Sequence, residues 1–308
     1  MTDDVPTIDL LPWWNGDPGD RATVAASVDR ALQRSGLLLI TGHGVPPHEP
    51  AAVRACARAF FGLPDDVKRR YAAGPDGRGW LSGLVESGLV ESLSFGAETA
   101  TGDPVVDARW YQPNPWPTEI HGLGSRFRDY TVRMRALAAR LMELCAAGLG
   151  LPEDHFAESL HNPTWTFNVD LYPPVPVAAD PAGQLRIGPR TDFGTLTLLD
   201  RPPGSGGLQV LTRDGEWVDA PLRPGALAVN VGELLARWTG DRWPSAQYRV
   251  LPPGPGTPED DQVCLVYLYE ADHDALVESL PPPVGVNHYP PVYAADYLDE
   301  KYRAITLG

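Results

Sequence analysis

The second half of the chain is written in short apolar runs, and that pattern restricts its fold more than any other feature. From about residue 164 the sequence passes through WTFNVDLY, GTLTLL, GGLQVL, GALAVNV, SAQYRVL and QVCLVYLY, separated by turns such as RDGEW and RPGAL. Short strands at this spacing predict an antiparallel sandwich or barrel. The 31 glycines and 33 prolines punctuate these runs instead of forming one low-complexity block. Just upstream, Phe127, Tyr130, Met134, Leu137, Leu141, Cys145 and Leu149 recur every three or four positions. That period predicts a long helix over 124–149, the spine against which the sheet packs.

The N-terminal part is mixed. VPTIDL and GLLLITG read as strands, with a helix between them and others near 50–62 and from LPDDVKRRY. Residues 78–120 have weak periodicity and read as a long functional loop or lid. PVYAADYLDEKYRAI closes the chain as a helix.

Charge restricts the partners. With 40 acidic against 25 basic residues the formal net charge is −15, which disfavours nucleic acid and anionic membrane surfaces. The cysteines, Cys56, Cys145 and Cys264, are far apart and odd in number, so no disulfide framework is expected and a reducing cytoplasm is. MTDDVPTIDLLPWW lacks a basic n-region and a long apolar run, so neither a signal peptide nor a spanning helix is expected. Oligomeric state is left open. Gly-rich nucleotide loops, a P-loop and a G-x-S-x-G elbow are not found in their required contexts.

RTDFGTLTLLD, GGLQV, GEWVDAP, PGALAVNVGELLARWTGDRWPSAQYRV and YPPVYAADYL, with VPTIDL, GLLLITGHGVP and RGW…SLSFG upstream, together resemble the iron(II)/2-oxoglutarate-dependent dioxygenases of the isopenicillin N synthase-like superfamily. The resemblance spans nearly the whole chain. It implies a mainly β fold with flanking helices: a double-stranded β-helix (jelly-roll) core behind a mixed α/β N-terminal region. As a single domain over 1–308, this divides into an N-terminal region and lid (1–120), spine helices (121–163), the jelly roll (164–292) and a C-terminal helix (293–308).

The resemblance also implies a His-x-Asp/Glu pair on one strand and a distal His on another, together holding one face of Fe(II). Here the first position is Arg190, in Arg190-Thr191-Asp192, and only the carboxylate of Asp192 remains. The distal position is Tyr248, 58 residues after Arg190, a separation that fits the family. The R-x-S pair that clamps 2-oxoglutarate corresponds to Gln262 and Cys264, although Tyr172 in DLYPP is kept. None of the histidines (His43, His48, His121, His155, His161, His273, His288) begins an H-x-D or H-x-E triplet. A guanidinium cannot serve as a metal ligand near neutral pH. The sequence therefore predicts an iron-free relative with neither metal nor 2-oxoglutarate.

Residues two apart on a strand share a face. Arg190 with Asp192, Asn168 and Asp170 with Tyr172, and Gln262 with Cys264 should thus enter one cavity, joined by Tyr248. Arg190, Asp192 and Tyr248 are the candidate catalytic groups; equally, Arg190 could plug the metal position by pairing with Asp192 or Asp170. Trp80, Phe95 and Trp110 are candidate apolar walls for a small, apolar substrate. The expected function is non-oxidative cyclisation, cycloaddition or rearrangement of a polyketide-like natural-product intermediate, without metal or cosubstrate. Two alternatives stay open: a non-catalytic ligand-binding pseudoenzyme, and an atypical Fe(II)/2-oxoglutarate oxygenase.

Overall fold

A computed structural model describes residues 5–74, 77–82, 91–172, 185–202, 207–251 and 262–306. The helices begin where the sequence supplies caps. Asp17 accepts from the backbone of Gly19 and Asp20 and starts α2 (Pro18–Ser35), behind the short α1 (Leu11–Asn15). Gly36 ends α2 with φ +69°, and a Cβ there would lie 2.1 Å from the Pro244 carbonyl, so this turn into β2 requires glycine. The remaining helices are α3 (His48–Phe61), α4 (Asp65–Lys68), α5 (Pro104–Trp110), α6 (Leu123–Gly148), α7 (Glu233–Trp238) and α8 (Ala294–Thr306).

Strands β1 (Thr7–Asp9), β2 (Leu37–Thr41), β3 (Gly79–Ser82), β4 (Glu91–Gly96), β5 (Trp165–Tyr172), β7 (Leu196–Asp200), β10 (Leu227–Val231) and β12 (Gln262–Tyr269) form one sheet, in the order β1-β2-β10-β7-β12-β5-β4-β3. A second sheet runs β6-β11-β8-β9, from β6 (Ile187–Arg190), β8 (Leu208–Leu211), β9 (Trp217–Asp219) and β11 (Tyr248–Val250). All these neighbours are antiparallel except β1 and β2. The two facing, mainly antiparallel sheets agree with the strand pattern, and the mainly β jelly roll with flanking helices is the architecture that the resemblance implies.

Register gives the large sheet two different faces. One row runs through Phe95, Phe167 and Tyr267 to Leu198 and Val229. These residues are buried against α6, where Phe127 meets Phe95 and Phe167 edge-on at 5.4 and 5.7 Å. The neighbouring row, Ser94, Asn168, Val266, Leu199 and Ala228, faces the second sheet.

Residues 78–120 are not one loop. They contain β3, β4 and α5, and β4 pairs with β5 along its whole length. The alternation Ser92-Leu93-Ser94-Phe95 is a half-buried strand signal that the surrounding glycine, proline and tryptophan obscure. Residues 83–90 of that region lie outside the described residues. Cys56, Cys145 and Cys264 are buried free thiols. Among the described residues, no helix is long and apolar enough to cross a membrane.

Because Phe127 is fully buried where both β4 and β5 meet α6, Phe127→Ala should cost about 3–5 kcal/mol of unfolding free energy. Urea titration followed by tryptophan fluorescence measures it; a loss below about 1 kcal/mol would show that α6 is not the spine of the sheet.

Candidate active site

Strand pairing brings the three candidate catalytic residues together. Arg190 at the end of β6 lies opposite Tyr248 on β11, and the Tyr248 hydroxyl donates to Asp192 Oδ1 at 2.9 Å. Asp192 is buried and also accepts from Asn230 Nδ2 at 3.4 Å. Burial raises its pKa against the opposing bonds from Thr197, Tyr248 and Asn230. The Tyr248 phenol is pushed well above its ordinary value, by burial first and then by the Asp192 charge.

Arg190 is exposed, and its Nε donates to the Gly188 carbonyl at 3.4 Å. Among the described residues it forms no ion pair with Asp192 or Asp170, so the plug reading is not what the structure places there. Its charge still favours the ionised forms of both aspartates.

The facing large sheet supplies Asn168, Asp170, Tyr172, Gln262 and Cys264 in register, as Val266 opposite Asn168, Cys264 opposite Asp170 and Gln262 opposite Tyr172. Ser92 donates to Asp170 at 2.7 Å, and burial pushes the Asp170 carboxyl up to about 6. Burial holds the Cys264 thiol up at about 12, so it is no thiolate nucleophile near neutral pH.

Two of the proposed walls lie elsewhere. Phe95 and Trp80 occupy the helix-facing row, where Phe95 stacks on Trp116 with centroids 4.3 Å apart and Lys68 sits 5.0 Å over Trp80. They belong to the core between sheet and helix, on the opposite face from Asp170. Trp110 ends α5, with the Arg109 guanidinium 4.6 Å above its ring.

Other polar groups of the interior were not singled out from the sequence. Asn230, Thr197 and Glu270 continue the inward row, and simple extension of the two-residue period beyond Gln262 and Cys264 would have reached Glu270. Its carboxyl packs so closely on Gly194 that a Cβ there would fall 1.5 Å from Oε2. Burial, with the nearby Asp192 charge, pushes Glu270 up to about 8. On the outer side, Glu233 of α7 accepts from Thr191 at 2.6 Å and from Tyr297 of α8 at 2.8 Å, and the Phe193 and Tyr302 rings meet at 5.9 Å. The C-terminal helix thereby braces the turn that carries Asp192.

The positions that correspond to an iron centre hold a guanidinium, a carboxylate and a phenol already bonded to that carboxylate. Among the described residues no three His, Cys, Asp or Glu side chains gather to hold a metal ion. A centre of two imidazoles and one carboxylate does not fit these residues.

Comparison with known proteins places the chain among oxygenases. Residues 5–119 match the non-haem dioxygenase N-terminal family, and residues 163–276 match the 2OG-Fe(II) oxygenase superfamily. Validamycin A dioxygenase of Streptomyces hygroscopicus subsp. limoneus is 39% identical over 299 residues, covering 92% of this chain and 82% of that one. A proline hydroxylase of Petromyces alliaceus is 30% identical over 294 residues, covering 90% of each. Full-length Neurospora crassa T7H, solved with alpha-KG and 5-formyluracil, superposes with a TM-score of 0.88 at 26% identity, covering 99% of this chain and 98% of that one.

These relatives overturn the expectation of an iron-independent, cosubstrate-free cyclase or isomerase. The matched family is that of 2OG-Fe(II) oxygenases, and the relatives are a dioxygenase, a hydroxylase and a protein solved with alpha-KG, so neither a non-oxidative reaction nor the absence of cofactors stands. The physical reason for the error is specific. Loss of imidazoles from two positions identifies an altered centre; it does not identify a different reaction class.

Two outcomes follow from the geometry. Tyr248→Phe removes one hydrogen bond to a buried carboxyl and should lower unfolding free energy by about 1–2 kcal/mol, read by chemical denaturation. For Glu270 the folded state holds a proton that the unfolded chain, with a value near 4.5, has released. Stability should therefore fall as pH rises from about 4.5 through about 8, and Glu270→Gln should flatten that fall. An unchanged urea-midpoint profile in the variant would show that Glu270 titrates normally.

Proposed function

The chain belongs to the 2OG-Fe(II) oxygenase superfamily, and on that premise we propose that it is an atypical oxidative enzyme acting on a small organic molecule. The substrate sits between the two sheets, in the space bounded by Arg190, Asp192 and Tyr248 on one side and by Asn168, Asp170 and Cys264 on the other. The observation that carries this reading is the near full-length relationship to a dioxygenase whose substrate, validamycin A, is itself a small molecule. The chain's own residues bind and orient: Tyr248 fixes the Asp192 carboxyl, Arg190 offers an exposed guanidinium at the rim, and α8 braces the turn between them. Any metal must be held by a donor set other than the family's two imidazoles and one carboxylate.

One observation favours a second reading, a ligand-binding pseudoenzyme. Both imidazole positions and both positions of the oxoacid clamp are substituted in the same chain.

The two readings separate in one assay. Purified protein is incubated aerobically with Fe(II), 2-oxoglutarate and a panel of small molecules including validamycin A, and succinate and oxygen consumption are followed. Substrate-dependent succinate, lost in Asp192→Ala, is the expected result. Succinate at the no-enzyme background, with panel compounds nonetheless raising the melting temperature, would overturn the oxidative reading in favour of the binding one.

A further inference from the structure

A second recess, separate in its lining from the candidate active site, has the opposite charge. The β2–α3 connection, the residues ending β7 and the β9–β10 connection line a pocket of about 400 Å³. Arg54, Arg201 and Arg223 stand in its wall against one acid, Asp200. That balance runs against the chain as a whole, whose formal net charge is −15. None of Asn168, Asp170, Asp192 and Tyr248 lines it.

Two of its polar groups are matched by their neighbours. Arg54 Nη2 donates to Asp200 Oδ1 at 2.7 Å and Arg54 Nε to the Val263 carbonyl at 2.9 Å, so guanidinium and carboxylate cancel. His43 accepts the Val45 N–H at Nδ1, which leaves its proton on Nε2, 2.9 Å from the Gly225 carbonyl, and the ring neutral. Arg201 is not matched. It is half-buried, and its terminal nitrogens donate to the carbonyls of Ala220 and Pro221 at 3.1 and 2.8 Å. Those acceptors carry no net charge, and among the described residues no carboxylate pairs with this guanidinium. Burial lowers its pKa, yet a guanidinium stays protonated in a protein. A desolvated cation with neutral partners alone is stabilised by an anion that reaches it.

The rest of the wall sets the shape of that anion. Val45, Pro50, Leu222 and Leu227 present apolar surface, and the volume lies at the lower end of small-molecule sites, roughly 300–1,000 Å³. We propose that this recess is a second binding site, for a small organic carboxylate with a compact apolar body. The carboxylate offsets the charge of Arg201, the body covers the apolar wall, and Arg223, exposed on the β9–β10 connection, draws anions in. A neutral molecule of the same shape leaves Arg201 uncompensated, and a cation is repelled. The site goes beyond the oxidative reading and does not depend on it.

The test uses the full chain without iron or 2-oxoglutarate. Dissociation constants are measured by ligand-observed NMR for benzoate, benzamide, benzylamine and acetate. Benzoate should bind about tenfold or more tightly than benzamide or acetate, and benzylamine should not bind. Arg201→Gln and Arg223→Glu should each weaken benzoate about fivefold, while Tyr248→Phe, in the candidate active site, should change it by less than about twofold. Circular dichroism confirms folding, and Arg223→Glu, on an exposed connection, decides the matter should Arg201→Gln not fold. Equal or tighter binding of benzamide, benzylamine or acetate, no binding of benzoate, or a benzoate affinity unmoved by the folded arginine variants would each overturn the proposal. So would a loss in Tyr248→Phe as large as theirs, which would put the anion between the sheets. Because no step involves oxidation, the outcome is independent of whether the succinate assay succeeds.

Discussion

The eight-stranded sheet must satisfy two different neighbours at once, and the rest of the molecule follows from that constraint. Successive side chains alternate in direction, so one strand sequence encodes two surfaces. Along β4, β5, β7, β10 and β12 the outward set, including Leu93, Phe95, Phe167, Leu198 and Val229, is almost wholly apolar and seals against α6. That seal places the inward set opposite the smaller sheet, whatever its chemistry. A one-residue slip in register would exchange the two sets and bury the polar row against α6.

The inward set is itself divided. Toward β2 and β10 it is apolar, where Leu37, Leu39 and Ala228 pack with Leu208 and Val210 across the sandwich. Toward β4, β5 and β12 it is polar, with Ser92, Ser94, Asn168 and Asp170. Closing two sheets over such a row desolvates carboxyls, and desolvation is the first cause of the raised values of Asp170, Asp192 and Glu270. Apolar packing on one side thus holds the two sheets together, while the other side carries the polar groups. The turn that carries Asp192 gains rigidity from outside the barrel, through Glu233 and α8.

Family membership and the altered centre are compatible once fold and site are treated separately. Sheet order, register and the helix spine depend on dozens of apolar positions and tolerate change at a few inward ones. Arg190 and Tyr248 occupy two such inward positions, and each is accommodated locally: the guanidinium reaches solvent, and the phenol bonds to the neighbouring carboxyl. Fold-level relationship sets the class of chemistry to test, and the site residues set which ligands can enter.

The sequence by itself determined the strand-rich second half, the amphipathic helix through Phe127 and Leu141, the overall negative charge and the identity of the groups at the ligand positions, because each is written in local order or composition. Strand parity was enough to put Asp170 and Cys264 on one face of the sheet, whereas Asp192 lies past the end of β6, where parity does not reach. Only the tertiary structure decided which face of β3 and β4 the aromatic residues take, and therefore that Trp80 and Phe95 are core. It also decided that Arg190 reaches solvent instead of pairing with an aspartate, and that Glu270 and Asn230, forty residues apart in sequence, both come near Asp192. Those outcomes depend on register and on contacts between distant strands. Local pattern fixes the alternation of a strand, but its pairing partners decide which side is inside.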